Sequence, residues 1–126
     1  MNKPERILYV EDQKDIQLVA QVALAKLGGF DLKVCSSGEE ALTAVKTFIP
    51  DLFLLDVMMP GLDGPATLER LWAISELKAV PVIFMTAKVQ PDEVEHFMSL
   101  GALGVISKPF DPITLAEQIR ELMSAH

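Results

Sequence analysis

The chain has 126 residues, of which 50% are hydrophobic, and a formal net charge of −7. Its length fits one domain, and its apolar content predicts a filled core and excludes a disordered chain. Direct binding to nucleic acid or to an anionic membrane is not expected, because like charges repel.

Short apolar runs alternate with segments of helical periodicity, which predicts five βα units and a parallel sheet of the α/β class. Residues 7–10 form the first run. The helix after it is predicted to bury one face and to end at Gly28 and Gly29. That face comprises Ile16, Val19, Ala20, Ala23, Leu24 and Leu27.

The second unit joins a strand at residues 32–35 to a helix for which Ser37 is the predicted N-cap. Glu39 and Glu40 follow in the first turn of this helix, where negative charge is favourable. Its buried stripe is predicted to consist of Ala41, Ala44, Val45 and Phe48.

Three further strands are predicted at residues 52–55, 82–85 and 105–107. Prolines at positions 91 and 112 are predicted to open the helices that follow the last two strands. The inward residues predicted for the last three helices are Leu68, Leu71, Trp72, Val94, Phe97, Met98, Leu115, Ile119, Leu122 and Met123.

Reactive polar residues follow four of the five predicted strands at their carboxyl ends. Glu11 and Asp12 follow the first strand, Asp56 the third, Thr86 the fourth and Lys108 the fifth. We expect them to converge, because α/β sheets bind ligands outside the carboxyl ends of their strands. Three carboxylates, a hydroxyl and an ammonium indicate a site for a phosphoryl group and a divalent cation.

Each residue type suits such chemistry. The carboxylates of Glu11, Asp12 and Asp56 are hard oxygen ligands of the kind that Mg²⁺ prefers. A carboxylate can also attack phosphorus and carry an acyl phosphate. Thr86 can donate a hydrogen bond to a phosphoryl oxygen, and Lys108 can pair with another as a compact positive charge.

These residues and their neighbours resemble the signature of receiver domains, the phosphoacceptor modules of two-component response regulators. The resemblance is carried by Glu11 and Asp12, LDVMMPGLDG at residues 55–64, MTA at residues 85–87 and KPF at residues 108–110. It extends over essentially the whole chain. It implies one receiver domain over residues 1–126, with a flavodoxin-like fold, strand order 2-1-3-4-5 and helices on both faces of the sheet.

The resemblance also implies a function. Asp56 would accept a phosphoryl group from a phosphohistidine on a sensor histidine kinase or a histidine phosphotransfer protein. Asp12 and Asp56 would bind Mg²⁺ directly, with the backbone carbonyl of Met58 as a third ligand and Glu11 acting through water. The chain would assist its own phosphorylation and dephosphorylation without being a turnover enzyme.

Switching would follow from the arrival of the phosphoryl group. By analogy, Thr86 and Lys108 would bind this group, Ala87 would leave room for it, and the bond from Lys108 to Pro109 would be cis. The change would bias a face built by the fourth helix, the fifth strand and the fifth helix, to which a downstream effector binds. Receivers often carry an aromatic residue three positions before the lysine, where this chain has Val105. We therefore expect the loop after Thr86 to move, but we do not expect an aromatic ring to rotate.

Several other residues invite a role. Met58 and Lys88 are predicted to line the entrance, where an apolar group and a cation both hinder attacking water. His96 and His126 are predicted to face solvent, and Cys35 is predicted to pack in the core.

The sequence also bears on location. A single cysteine excludes an internal disulfide and fits a reducing cytosol. Residues 1–6 lack the features of a signal peptide, and no apolar run approaches the ~18 residues of a membrane span. We expect a soluble, cytoplasmic protein.

Alternatives to a stand-alone receiver remain. A degenerate receiver, used only as a constitutive docking module, would fail to bind Mg²⁺. A fragment of a longer regulator or hybrid kinase is another, although the start at Met1 and the lack of a trailing linker favour a natural single-domain protein without an output domain. A phosphatase of the haloacid dehalogenase type needs a second aspartate two residues after the nucleophile, where this chain has Met58.

Overall fold

The computed structural model describes residues 5–125, and in this range five parallel strands form one sheet of order β2-β1-β3-β4-β5. The strands are β1 (Arg6–Val10), β2 (Asp31–Cys35), β3 (Leu52–Asp56), β4 (Val82–Thr86) and β5 (Gly104–Ser107). Each strand is one residue longer than the apolar run that predicted it. The flavodoxin-like fold and its strand order are confirmed.

Five α-helices occur within the described residues. They are α1 (Lys14–Gln21), α2 (Gly38–Ala44), α3 (Gly64–Trp72), α4 (Pro91–Ser99) and α5 (Leu115–Ser124). A π-helical segment, Val22–Leu27, continues α1, and a 3₁₀ turn, Ser75–Leu77, follows α3. None of the helices in this part of the chain is long and apolar enough to cross a bilayer.

Side-chain caps fix where α2 and α3 begin, and two glycines follow the π-helical segment. Ser37 is confirmed as the N-cap of α2, because its Oγ accepts a hydrogen bond from the backbone N–H of Glu40. Asp63 caps α3 in the same way through the N–H of Ala66, with Pro65 in the first turn. The π-helical segment ends at Gly28, and Gly29 follows with a positive φ of 74° that favours glycine.

The sheet separates two cores. Leu8 and Val10 of β1 point into the core beneath α2, α3 and α4, whereas Ile7 and Tyr9 point into the core beneath α1 and α5. This alternation follows from the two-residue period of a strand. Both faces of the central strands are therefore buried, as expected for a parallel sheet between helical layers.

Three predicted inward residues are wrong. Val19 and Leu27 are exposed, because the first helix packs on the sheet through the smaller Ala20 and Ala23 together with Leu24. The π-helical turn is wider than an α-helical turn, so the 3.6-residue spacing that placed Ala23 and Leu24 correctly fails at Leu27, the last residue of the segment.

Met98 is the third of these errors, and Pro112 is misplaced as well. The α4 helix buries Phe97, whose ring lies 5.2 Å from that of Phe84, but Met98 beside it is exposed.

Pro112 does not open α5 but lies in a turn before it. In this turn the carbonyl of Asp111 accepts hydrogen bonds from the N–H groups of Thr114 and Leu115.

Candidate functional site

The predicted reactive residues meet at the carboxyl edge of the sheet. Neighbouring strands end nearly level there, because Val10 pairs with Leu55, Asp56 with Met85, and Thr86 with Ser107. Polar side chains that end or follow these strands are thereby brought to one place, from segments far apart in the chain. The residues brought together are Glu11, Asp12, Asp56, Thr86 and Lys108.

The ammonium of Lys108 lies between two buried carboxylates. Its Nζ atom is 2.8 Å from Oε1 of Glu11 and 3.0 Å from Oδ1 of Asp56. The Lys108 side chain is 15% exposed, against 0% for Glu11 and 5% for Asp56. This cation therefore offsets two negative charges that are almost fully withdrawn from water.

The pKa values reflect this crowding. Burial raises the pKa of Glu11 and of Asp56 above the ordinary values, and the hydrogen bonds from Lys108 oppose that rise only in part. Burial alone would lower the pKa of Lys108, but its bonds to the two carboxylates outweigh that effect and raise it. Lys108 therefore keeps its positive charge, whereas the ionised forms of Glu11 and Asp56 are unfavourable in this buried position.

The same carboxylates fit a divalent cation. One oxygen from each of Glu11, Asp12 and Asp56 can be chosen so that all three lie within 4.8 Å of one another. Oδ1 of Asp12 is buried and accepts no hydrogen bond from any residue in 5–125. A buried acceptor without a donor calls for a cation, and an all-oxygen set is the kind that Mg²⁺ prefers. A ligand role for the Met58 carbonyl stays a prediction.

Thr86 and the loop after it complete the edge. The Thr86 side chain is buried, and its Oγ accepts a hydrogen bond of 3.1 Å from the N–H of Lys88. The N–H of Lys108 donates to the Thr86 carbonyl at 2.9 Å, which couples the ends of β4 and β5. Ala87 is exposed, and the predicted cis bond between Lys108 and Pro109 is confirmed.

Residues 7–120 match the response regulator receiver domain family. The chain belongs to this family. The strand order and the acidic edge therefore agree with the resemblance that the motifs indicated.

Three relatives show where such receivers occur. The DNA-binding response regulator MtrA of Mycobacterium tuberculosis is 39% identical over 117 residues, which cover 92% of this chain and 49% of MtrA. The chain therefore spans about half the length of the curated relatives it matches. The chemotaxis response regulator CheY4 of Vibrio cholerae superimposes with a TM-score of 0.87 at 25% identity, covering 95% of this chain and 99% of CheY4. The receiver domain of a signal transduction histidine kinase from Syntrophus aciditrophicus gives 0.80 at 30% identity, covering 96% and 91%.

Two buried residues of this receiver escaped the sequence analysis. Gln17 on α1 donates hydrogen bonds to the backbone carbonyl of Glu11 and to Oγ of Ser36, and so ties the loop after β1 to the loop after β2. Tyr9 lies within β1 with its hydroxyl buried. In the sequence, Gln17 could have been noticed as a polar residue next to Ile16, which was predicted to face inward. Tyr9 could have been noticed as the one residue with a polar group in the otherwise aliphatic run at residues 7–10.

Three residues were predicted to take no part in the reaction. His96 is exposed on α4, and Cys35 is buried as a free thiol at the end of β2, so both predictions are confirmed. His126 lies outside the described residues.

Two residues were predicted to line the entrance to the site. Met58 is 70% exposed in the loop after β3, and Lys88 is also exposed, which is compatible with that position.

Proposed function

We propose that this receiver is a phosphoacceptor signalling module in which Asp56 takes a phosphoryl group from a phosphohistidine. The donor is a sensor histidine kinase or a histidine phosphotransfer protein. The observation that carries the proposal is the position of Lys108, whose ammonium bridges Glu11 and Asp56 beside the unpartnered oxygen of Asp12. Such a cation can move from a carboxylate to a phosphoryl group that arrives on the same carboxylate.

The transfer moves one phosphoryl group between two side chains. An oxygen of Asp56 attacks phosphorus, the bond from phosphorus to the imidazole nitrogen breaks, and the leaving imidazole takes up a proton. Lys108 pairs with one oxygen of the transferring group, and the hydroxyl of Thr86 donates to another. The two groups compensate charge at positions that the strand ends already define.

A metal ion is the expected cofactor of this step. Asp12 and Asp56 would hold Mg²⁺ with the Met58 carbonyl, and Glu11 would act through water. When bound, the ion offsets the negative charge of the crowded carboxylates and of the phosphoryl oxygens. The unpartnered Asp12 oxygen is the feature of this chain that favours such a site.

Signalling would follow from the redistribution of these contacts. The backbone bond from Lys108 to Thr86 means that any movement of the lysine is felt at the start of the loop after β4. The face formed by α4, β5 and α5 then changes its affinity for a downstream effector. Val105 in β5 is half-buried and has no ring, so the loop rather than a rotating aromatic side chain transmits the change.

The chain is a carrier of the phosphoryl group and not a turnover enzyme. It assists the arrival of the group and its later hydrolysis, and the exposed Met58 and Lys88 regulate the access of water. The net charge of −7 favours protein partners over direct contact with nucleic acid, in a cytoplasmic setting.

Phosphorylation can be tested on the purified chain. Incubation with Mg²⁺ and acetyl phosphate should add one phosphoryl mass to the wild type, as measured by intact-protein mass spectrometry. The Asp56→Asn variant should gain none, and chelation of the metal should suppress the gain. Asp51→Asn is the matched control, because Asp51 lies just before β3 at the opposite edge of the sheet and is exposed. A wild type that acquires no phosphoryl group would remove the basis of the proposal.

A second setting is the receiver portion of a longer regulator or of a hybrid kinase. The observation that favours it is that the chain covers only half of its curated relatives, one of which is described as DNA-binding. Contact with DNA would then belong to a segment other than this receiver. Gel filtration and DNA-binding assays on the product of the complete gene would separate the two settings.

If the chain were a degenerate receiver that acts only as a constitutive docking module, it would not bind Mg²⁺. Titration of the chain with Mg²⁺ by calorimetry would show no saturable binding in that case. The buried and unpartnered oxygen of Asp12 favours binding.

A further inference from the structure

Gln17 is a polar residue on the buried face of α1. Its side chain is only 6% exposed, and it shares this face with Ala20, which packs in the core beneath the helix. Burying an amide group is costly unless the group is hydrogen-bonded. The contacts of this amide therefore indicate why a polar residue stands at a core position.

Both N–H groups of the Gln17 amide are used at the reactive edge of the sheet. Nε2 donates one hydrogen bond to the backbone carbonyl of Glu11 and another, of 3.1 Å, to Oγ of Ser36. Ser36 directly follows β2, and its Oγ also accepts a hydrogen bond of 3.2 Å from Nζ of Lys14. Because each of its two donors has an acceptor, the amide is held in one orientation.

The bond to the Glu11 carbonyl fixes the backbone from which Asp12 projects. The N–H of Glu11 donates to the carbonyl of Cys35 at 3.0 Å, so the backbone of Glu11 is held on both sides. The peptide unit between Glu11 and Asp12 is planar and rigid, so fixing its carbonyl also fixes the Cα position of Asp12. Gln17 thus acts on Asp12 through the backbone.

The three carboxylates of the acidic cluster are positioned in different ways. Lys108 binds the carboxylates of Glu11 and Asp56, and the N–H of Gln13 binds Glu11 as well. Oδ1 of Asp12 receives no such bond from the residues in 5–125. The position of this oxygen relative to the other two carboxylates therefore depends on the backbone that Gln17 holds.

The precision of this position matters for the choice of metal. Mg²⁺ is small and tolerates little deviation in the positions of its ligands, whereas the larger Ca²⁺ accepts irregular and flexible sets of oxygen ligands. A fixed Asp12 backbone thus favours the smaller ion.

We propose that Gln17 is a positioning residue that fixes the peptide between Glu11 and Asp12 and thereby gives the acidic site its preference for Mg²⁺ over Ca²⁺. Ser36 supports this role by holding the second N–H of the amide. The inference rests on the metal site of the proposed function, and it concerns how that site selects its ion.

The Gln17→Met variant tests the role of the amide. Methionine keeps the length of the side chain but cannot donate to the Glu11 carbonyl. The affinity for Mg²⁺ should fall about tenfold, as is common when a group that orients a metal ligand is lost. The affinity for Ca²⁺ should fall less, so the preference for Mg²⁺ should shrink. Calorimetric titration with each ion separately measures both affinities.

Trp72→Phe is the matched control. Trp72 also donates a side-chain N–H to a backbone carbonyl, that of Val80, at 2.9 Å. Trp72 ends α3 and Val80 precedes β4, so this bond lies at the opposite edge of the sheet. Both variants should lose stability in urea unfolding, because each leaves a carbonyl without its donor. Only Gln17→Met should alter the affinities for the two ions.

Ser36→Ala provides a milder test that does not remove the amide. It should weaken Mg²⁺ binding about two- to threefold, the lower end of the worth of a neutral hydrogen bond. In the Gln17→Met background it should have no further effect, because Ser36 acts through Gln17. If Gln17→Met does not fold, Ser36→Ala decides alone, and an unchanged preference for Mg²⁺ would then overturn the inference.

The possible results separate this inference from the proposed function. A wild type without saturable Mg²⁺ binding would remove the metal site itself. If the wild type binds Mg²⁺ but Gln17→Met binds it equally well, or loses affinity for both ions to the same degree, only the role of Gln17 fails. The same holds if Trp72→Phe reproduces the losses of Gln17→Met, or if the wild type binds Ca²⁺ at least as tightly as Mg²⁺.

Discussion

The two edges of the sheet both place a cation among carboxylates, but in different surroundings. At the amino edge, Nε of the Arg6 guanidinium lies 3.4 Å from Oδ2 of Asp31, and the backbone N–H of Arg6 donates to Oδ2 of Asp51 at 2.8 Å. The Arg6 and Asp31 side chains are 39% and 55% exposed. The guanidinium also covers the ring of Phe48. Water screens these charges, so the ion pair contributes little to stability, and neither charge depends on its partner for compensation.

At the carboxyl edge, the same kinds of groups are buried. Lys108 compensates Glu11 and Asp56 where water is almost excluded, and Asp12 keeps an oxygen without a donor. Burial makes each charge costly, so this edge stays short of positive charge until a cation binds. The comparison shows that burial, and not residue type, distinguishes a reactive cluster from a surface ion pair.

Removing the cation from each edge should give the largest contrast. Lys108→Met leaves two buried carboxylates without compensation and should lower the free energy of unfolding at neutral pH by roughly 3 kcal/mol. Arg6→Met removes an exposed pair and should cost less than about 1 kcal/mol. Urea unfolding of both variants measures the difference. Equal losses would show that the carboxyl edge is not electrostatically distinct.

Neutralising one aspartate at each edge tests metal binding. Asp12→Asn removes a charged ligand and should weaken Mg²⁺ binding by about ten- to a hundredfold, as measured by calorimetry. Asp31→Asn at the amino edge should leave the affinity for Mg²⁺ unchanged. A similar decrease in both variants would mean that the ion responds to net charge and not to a site.

The pH dependence of stability should come from the carboxyl edge. Burial raises the pKa values of Glu11 and Asp56 above the ordinary values of these side chains, so the folded state binds more protons than the unfolded state between the ordinary and the raised values. The stability contributed by these groups is therefore present at low pH and lost as pH rises through their folded pKa values. Urea unfolding of Asp56→Asn should show a smaller loss over this window than the wild type, whereas Asp51→Asn should follow the wild type. A steeper loss in Asp56→Asn would mean that the folded state does not hold extra protons on these carboxylates.

The smallest predicted effect concerns exposed apolar side chains at the two edges. Met58 lies in the loop after Asp56, and Met58→Ala should speed hydrolysis of the phosphoryl group roughly two- to threefold by admitting water. Ile49, exposed in the segment before β3 at the amino edge, provides the control, and Ile49→Ala should not alter the rate. Loss of phosphoryl mass over time measures both rates. An unchanged rate in Met58→Ala would remove Met58 from the entrance.

Much of the fold could be predicted because local patterns and the sheet agree. The apolar runs that end in Asp56 and Thr86 are strands buried on both faces, and Ser37 and Pro91 begin helices as their chemistry requires. The exposure of Leu27 could not be predicted, because it depends on a π-helical turn that no local pattern announces.

The site shows the same division. The convergence of Asp12, Asp56 and Lys108 could be predicted because parallel strands end at one edge of the sheet, and the strand order implied by the resemblance is confirmed. The bond from Lys108 to Glu11 joins residues 97 positions apart, and its existence depends on the depth at which each side chain is buried.

The most direct measurement is the location of the phosphoryl group within the chain. After incubation with acetyl phosphate and Mg²⁺, borohydride reduction of the acyl phosphate and tandem mass spectrometry of the peptides identify the modified residue. The account predicts that the label lies on Asp56 alone. A label on Glu11, Asp12 or His96, with Asp56 unmodified, would contradict it.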